Sequence, residues 1–94
     1  MTKKQILKAL AKYDNKLASI GCVSREYPKS KSTPMGSNDL HSLSHCRWMI
    51  LQMVDMIKKG KLDKVYRWLG FIQGCLWYSK TFSIKELKKH NKSK

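Results

Sequence analysis

The residues best equipped for chemistry in this chain are arginines set beside tryptophans. Arg47-Trp48 and Arg67-Trp68 repeat one dipeptide in two separate segments. An arginine fork grips a phosphate through two parallel N–H bonds, and an aromatic ring stacks on a base, so this pairing suits a nucleotide or a single strand. The same residues also suit ordinary cation–π packing, and Asp63 stands at ion-pair spacing from Arg67 on a helix. Arg47, Lys64 and Arg67 are the candidate phosphate ligands. His45, Tyr66, Trp68, Gln73 and Trp77 are the candidates for shaping a pocket or an interface, with Lys61 and the linker lysines completing a basic rim.

Two further constellations could do chemistry. His41 and His45 have the i, i+4 spacing that can place two imidazoles on one metal ion. Ser42 follows His41 where a metalloprotease helix would carry glutamate, and no third ligand is evident, so the expectation is no metal and no cofactor. The chain has 6 acidic residues, scattered singly, and no serine, histidine and aspartate arrangement stands out by spacing, so the chain reads as a non-enzyme. Gly70 and Gly74 lie one helical turn apart in LGFIQG, at a cost of about 1 kcal/mol each relative to alanine. Close approach of another helix would explain them, and so would room for a flat ligand.

The elements that must position these residues are helical, and the fold expected is all-α. It is a small bundle on a central antiparallel helical hairpin, with an N-terminal amphipathic helix and a short C-terminal one. Ile6, Leu10, Tyr13, Leu17 and Ile20 recur at helical spacing over residues 3–20, with Thr2 as N-cap and Gly21 as stop. Residues 23–38 gather both prolines and read as a flexible basic linker. A second helix is expected over 39–59, capped at Ser37 or Asn38. Its core stripe is Cys46, Met49, Ile50, Met53, Val54 and Ile57, beside a mixed row of His41, His45, Trp48, Gln52 and Met56.

A tight turn at Gly60 leads into a third helix over 61–79 with the stripe Val65, Leu69, Ile72 and Leu76. Two more rows, Tyr66/Gly70/Gln73/Trp77 and Arg67/Phe71/Gly74/Tyr78, make that helix apolar or aromatic nearly all round, which calls for a partner protomer or for the first helix wrapped across it. Ser83 and Glu86 have capping-box spacing for a last helix over 83–90, anchored by Phe82 and Ile84.

One domain is all that 94 residues allow, and the formal net charge of +14 points to an anionic partner. Residues 1–23 carry +4 of it and residues 80–94 carry +5, so the charge sits mostly at the two ends. Cys22, Cys46 and Cys75 are odd in number and widely spaced, which reads as reduced thiols. Neither a secretory signal nor a membrane span is evident, so a cytoplasmic protein with no membrane partner is expected.

The run GKLDKVYRWLGFIQGCLWYSKTFSIKELKKHN, with HCRWMILQM before it, resembles a family of small proteins of tailed bacteriophages. The resemblance covers roughly residues 41–91 and rests on Lys64, Arg67-Trp68, Leu69-Gly70, Gln73-Gly74, Trp77 and Glu86-Leu87-Lys88. It implies a phage origin and the cytoplasm of an infected bacterial host. By analogy of class, it suggests a protein that interferes with a host process. The reading favoured is a homo-oligomer that sequesters an anionic nucleotide-type ligand, such as a cyclic nucleotide immune signal, as a counter-defence sponge. The alternatives are a basic nucleic-acid-binding protein and a protein–protein inhibitor of a host defence enzyme.

Overall fold

Three helices of this chain end in the same way. In the computed structural model, which describes residues 2–26 and 39–92, the side chains of 39–41 excepted, α1 spans Lys3–Ser19, α2 Asp39–Lys58, α3 Leu62–Tyr78 and α4 Ile84–Asn91. After α1 the N–H of Gly21 donates to the carbonyl of Ala18 at 3.1 Å and that of Cys22 to Leu17 at 3.0 Å. After α2 the pairs are Gly60 to Ile57 at 3.1 Å and Lys61 to Met56 at 2.9 Å. After α3 they are Lys80 to Trp77 and Thr81 to Leu76, both at 2.9 Å.

This is the Schellman arrangement, which satisfies last-turn carbonyls and requires one left-handed residue. Gly21 at φ 88° and Gly60 at φ 76° take that conformation without strain. The third is Lys80 at φ 62°, where a Cβ makes the same geometry costly by about 1 kcal/mol.

The helix starts are equally explicit. Thr2 and Gln5 form a capping box on α1, and Ser83 with Glu86 forms the one expected on α4. The helices fall one residue short of the expected spans at several ends, because Ile20, Lys61, Ser79 and Ser83 are caps. The linker from residue 27 on and the cap at Ser37 or Asn38 lie outside the described residues, as does the side chain of His41.

The helices form a small bundle around one core, and no strand occurs among the described residues. The α1 stripe Ile6, Leu10, Tyr13 and Leu17 is buried, but Ile20 is exposed because the chain has left the helix there. On α3 the buried residues are Val65, Leu69, Ile72 and Leu76, as the periodicity requires. On α2 the stripe gains Leu43, while Val54 is half-buried. Leu87 anchors α4 with Phe82 packed beside it, and Ile84 is exposed.

Two polar ties fasten α1. Arg47 Nε bonds Asp14 Oδ1 at 2.8 Å, and its Nη1 donates to the Cys22 carbonyl at 2.7 Å, so one α2 guanidinium holds both α1 and the segment after it. Tyr13, wholly buried, receives a hydrogen bond from Gln73 Nε2 at 3.0 Å and bonds His90 Nδ1 at 2.9 Å, joining α1 to α3 and α4. Gln73 also exchanges two hydrogen bonds with Asn91, at 2.7 and 3.2 Å.

Two outcomes follow for chemical denaturation. Lys80→Gly relieves the left-handed strain and raises stability by about 0.5–1 kcal/mol. Tyr13→Phe leaves the amide of Gln73 and the imidazole of His90 short of a partner and lowers it by about 1–3 kcal/mol.

Candidate anion-binding site

At the start of α3 the backbone and three cations converge. Lys61 is the N-cap but makes no side-chain capping bond, so the first-turn amides of α3 retain their partial positive charge. Gly60, Lys61, Leu62, Asp63, Lys64 and Arg67 line a hollow of about 410 Å³ there. Asp63 is the acidic group in the first turn. The ion pairs among the described residues are Asp14–Arg47 and Asp55–Lys59, so the Asp63–Arg67 pairing that the spacing allows is not made.

A column of rings continues from this hollow. The Lys64 ammonium lies 5.2 Å from the centroid of the Trp68 ring. Trp68 and Trp48 meet at 6.2 Å between centroids, and Trp48 stacks on His45 at 5.4 Å with 20° between planes. The two tryptophans are half-buried against the core where α2 and α3 pack on each other. The His45 pKa is lowered by burial, against the pull of the Glu26 charge and a hydrogen bond to the Arg25 backbone. The segment after α1 is held there by the Arg25 N–H, which donates to the Ser44 carbonyl at 3.1 Å.

Of the residues selected by type and spacing, Lys64, Arg67, Trp68 and His45 therefore lie along one hollow and its column. Arg47 is engaged with Asp14 and the Cys22 carbonyl, and Gln73 with Tyr13 and Asn91. Tyr66 and Trp77 stand exposed on α3 and line neither feature.

The α3 face opposite the core is more open than its composition suggests. Phe71 is 55% exposed, Trp77 51% and Tyr78 77%. A Cβ built at Gly70 or Gly74 would meet no neighbouring atom within 4 Å, so no packing contact among the described residues explains either glycine. Both line a shallow depression of about 440 Å³ with Ser42, Leu43, Phe71, Cys75, Tyr78 and Ser79.

Two polar clusters had no legible spacing. The first is the Tyr13, Gln73, His90 and Asn91 network. His90 sits in it with a pKa lowered by burial and by the nearby Lys12 and Lys89 charges, against the pull of Glu86. The second is a thiol pair: Cys46 and Cys75 hydrogen-bond to each other, which pushes the more buried Cys46 up and brings Cys75 down to about 7. All three cysteines are free thiols. No group of three or more His, Cys, Asp or Glu among the described residues is placed to hold a metal ion, and none of their helices is long and apolar enough to cross a membrane. Comparison with known proteins yields no family model, no curated protein and no solved structure that matches the chain.

The two lowered imidazoles set the sign of a pH effect. A histidine whose folded pKa lies below its ordinary 6.5 takes up its proton more readily when unfolded, so its contribution is present above pH 6.5 and is lost as pH falls below it. The melting temperature therefore drops between pH 7 and pH 5 in differential scanning fluorimetry, and His90→Gln makes that drop shallower. A flat profile over the same range contradicts the assignment.

Proposed function

We propose that this chain is a phage-encoded, non-enzymatic binding protein that sequesters an anionic nucleotide-type ligand, such as a cyclic nucleotide immune signal, as a counter-defence sponge. The observation that carries the reading is the union of Lys61, Lys64 and Arg67 with the Trp68–Trp48–His45 column at the uncapped start of α3. Phosphates engage the cations and first-turn amides, and a base meets the tryptophan edge of the column. Arg47 takes no part, since its guanidinium already serves Asp14 and Cys22.

The reading takes α2 and α3 as a central antiparallel hairpin, supported by Met56 bonding Lys61 at the turn and Cys46 meeting Cys75 further along. It also takes the protein as a homo-oligomer. Gly70 and Gly74 are helix-weakening residues with open space where a Cβ would stand among the described residues, set among exposed Phe71, Trp77 and Tyr78. A second copy of α3 is the occupant that accounts for them.

Native mass spectrometry of the untreated protein reports subunit number and any co-purified nucleotide together. Across a panel of cyclic mono-, di- and trinucleotides at least one member raises the melting temperature, and Arg67→Ala weakens that binding by about tenfold or more, the equivalent of one charge-assisted hydrogen bond. A monomer that retains no ligand and shifts with no member of the panel sinks the proposal.

A further inference from the structure

The two lysine-rich ends of the chain come together. Gln5, Lys8, Ala9 and Lys12 of α1 and Glu86, Lys89, His90 and Lys92 at the α4 end line a groove of about 430 Å³. The Tyr13 network forms its inner support through His90, and Gln5 Nε2 bonds the Lys92 carbonyl at 3.3 Å across it. We propose that this groove is a second anion site, independent of the start of α3, that takes the sugar-phosphate backbone of a nucleic acid without regard to sequence.

Four lysines, Lys8, Lys12, Lys89 and Lys92, line the groove against one acid, Glu86. That carboxylate is partly occupied: Glu86 Oε1 accepts the Ser83 N–H at 3.0 Å in the α4 capping box, and this bond is the main reason its pKa is lowered. Lys8 and Lys12 are one helical turn apart, which spaces their positions by about 6 Å along α1. Glu86 is the one acid in that lining, and among the described residues none of the four lysines makes an ion pair, since those pairs lie elsewhere. Such a cluster opposes folding by itself and is relieved by an anion that spans it.

The chemistry of the lining selects the anion. Tyr13 beneath the groove is wholly buried, and the one ring in the lining, His90, is already packed against Tyr13 and Phe82, so contact is made with phosphate and sugar. A lipid surface fits less well: the apolar stripe of α1, from Ile6 to Leu17, is turned into the core and leaves no face to enter a bilayer.

The test is binding of two unrelated 20-nucleotide single strands, labelled with a fluorophore, measured by anisotropy between 50 and 200 mM salt. Both bind alike, and affinity falls by about 50-fold over that range if four phosphates are neutralised. Substituting Lys8, Lys12, Lys89 and Lys92 together by Gln removes that steep dependence, whereas the same four changed to Arg retain it. An equal loss of charge at Lys3, Lys58, Lys59 and Lys85, which are exposed and outside the groove, changes the slope far less. The proposal fails if the two four-glutamine variants lose binding equally, or if phosphatidylserine vesicles bind and the oligonucleotides do not. Nucleotide binding at the start of α3 is measured on the same variants. Its survival in the groove variant and its loss in Arg67→Ala separate the two sites, and either can fail without the other.

Discussion

A buried phenol hydroxyl is the constraint on which the arrangement of this molecule depends. Tyr13 is the largest wholly buried side chain, and its oxygen cannot be left without partners at that depth. Gln73 donates to it, so its own proton is free to go to His90 Nδ1, which is then the unprotonated nitrogen of a neutral ring. The bond therefore depends on burial keeping the imidazole uncharged, and burial depends on α4 folding back over α1. Phe82, at 5.5 Å from the Tyr13 ring and 5.2 Å from His90, closes the cluster on its apolar side.

That one contact has an electrostatic consequence. Docking α4 on α1 brings together the two segments with the largest positive charge, a juxtaposition that the Coulomb term resists. The apolar burial of Tyr13, Leu87 and Phe82 and the hydrogen bonds at His90 and Asn91 must exceed that repulsion. Salt screens the lysines and leaves the buried contacts untouched, so ionic strength acts mainly on the repulsive side of the balance. Any bound polyanion acts on the same side and more locally.

The helical periodicity was the most legible part of the chain. The α3 stripe appears in the structure residue for residue, because four residues at steps of three and four leave one face with nowhere else to go. The Ser83 and Glu86 cap was equally plain, since its chemistry lies within one turn. Arg47 shows where that legibility ends. Its type suggested phosphate, but its partners are Asp14 and the Cys22 carbonyl, 33 and 25 residues away, and no local spacing encodes them. Gln73 is engaged by the same kind of long-range pairing, with Tyr13 60 residues distant. Lys64 and Trp68 kept their association because both lie on one helix, four residues apart. Lys80 is the reverse case: the helix stops there with a residue poorly suited to the left-handed geometry, and nothing in its type announces the stop.

The exposed face of α3 poses a problem of a different kind, because it concerns what a chain of +14 can assemble with. Self-association of so basic a protein is resisted by long-range repulsion, so a contact between copies must use the surface with the fewest charges and the closest packing. Gly70, Phe71, Gly74 and Tyr78 form such a surface, and the two glycines let backbones approach to distances that larger side chains forbid. Arg67 stands on the same side of α3, beside the hollow at its start. Pairing through the glycine face would therefore bring copies of that hollow near one another, and their repulsion would fall when an anion occupies them. Ligand and assembly would be coupled in that geometry: each copy that joined would raise the local positive potential, and each anion bound would lower the penalty for the next contact.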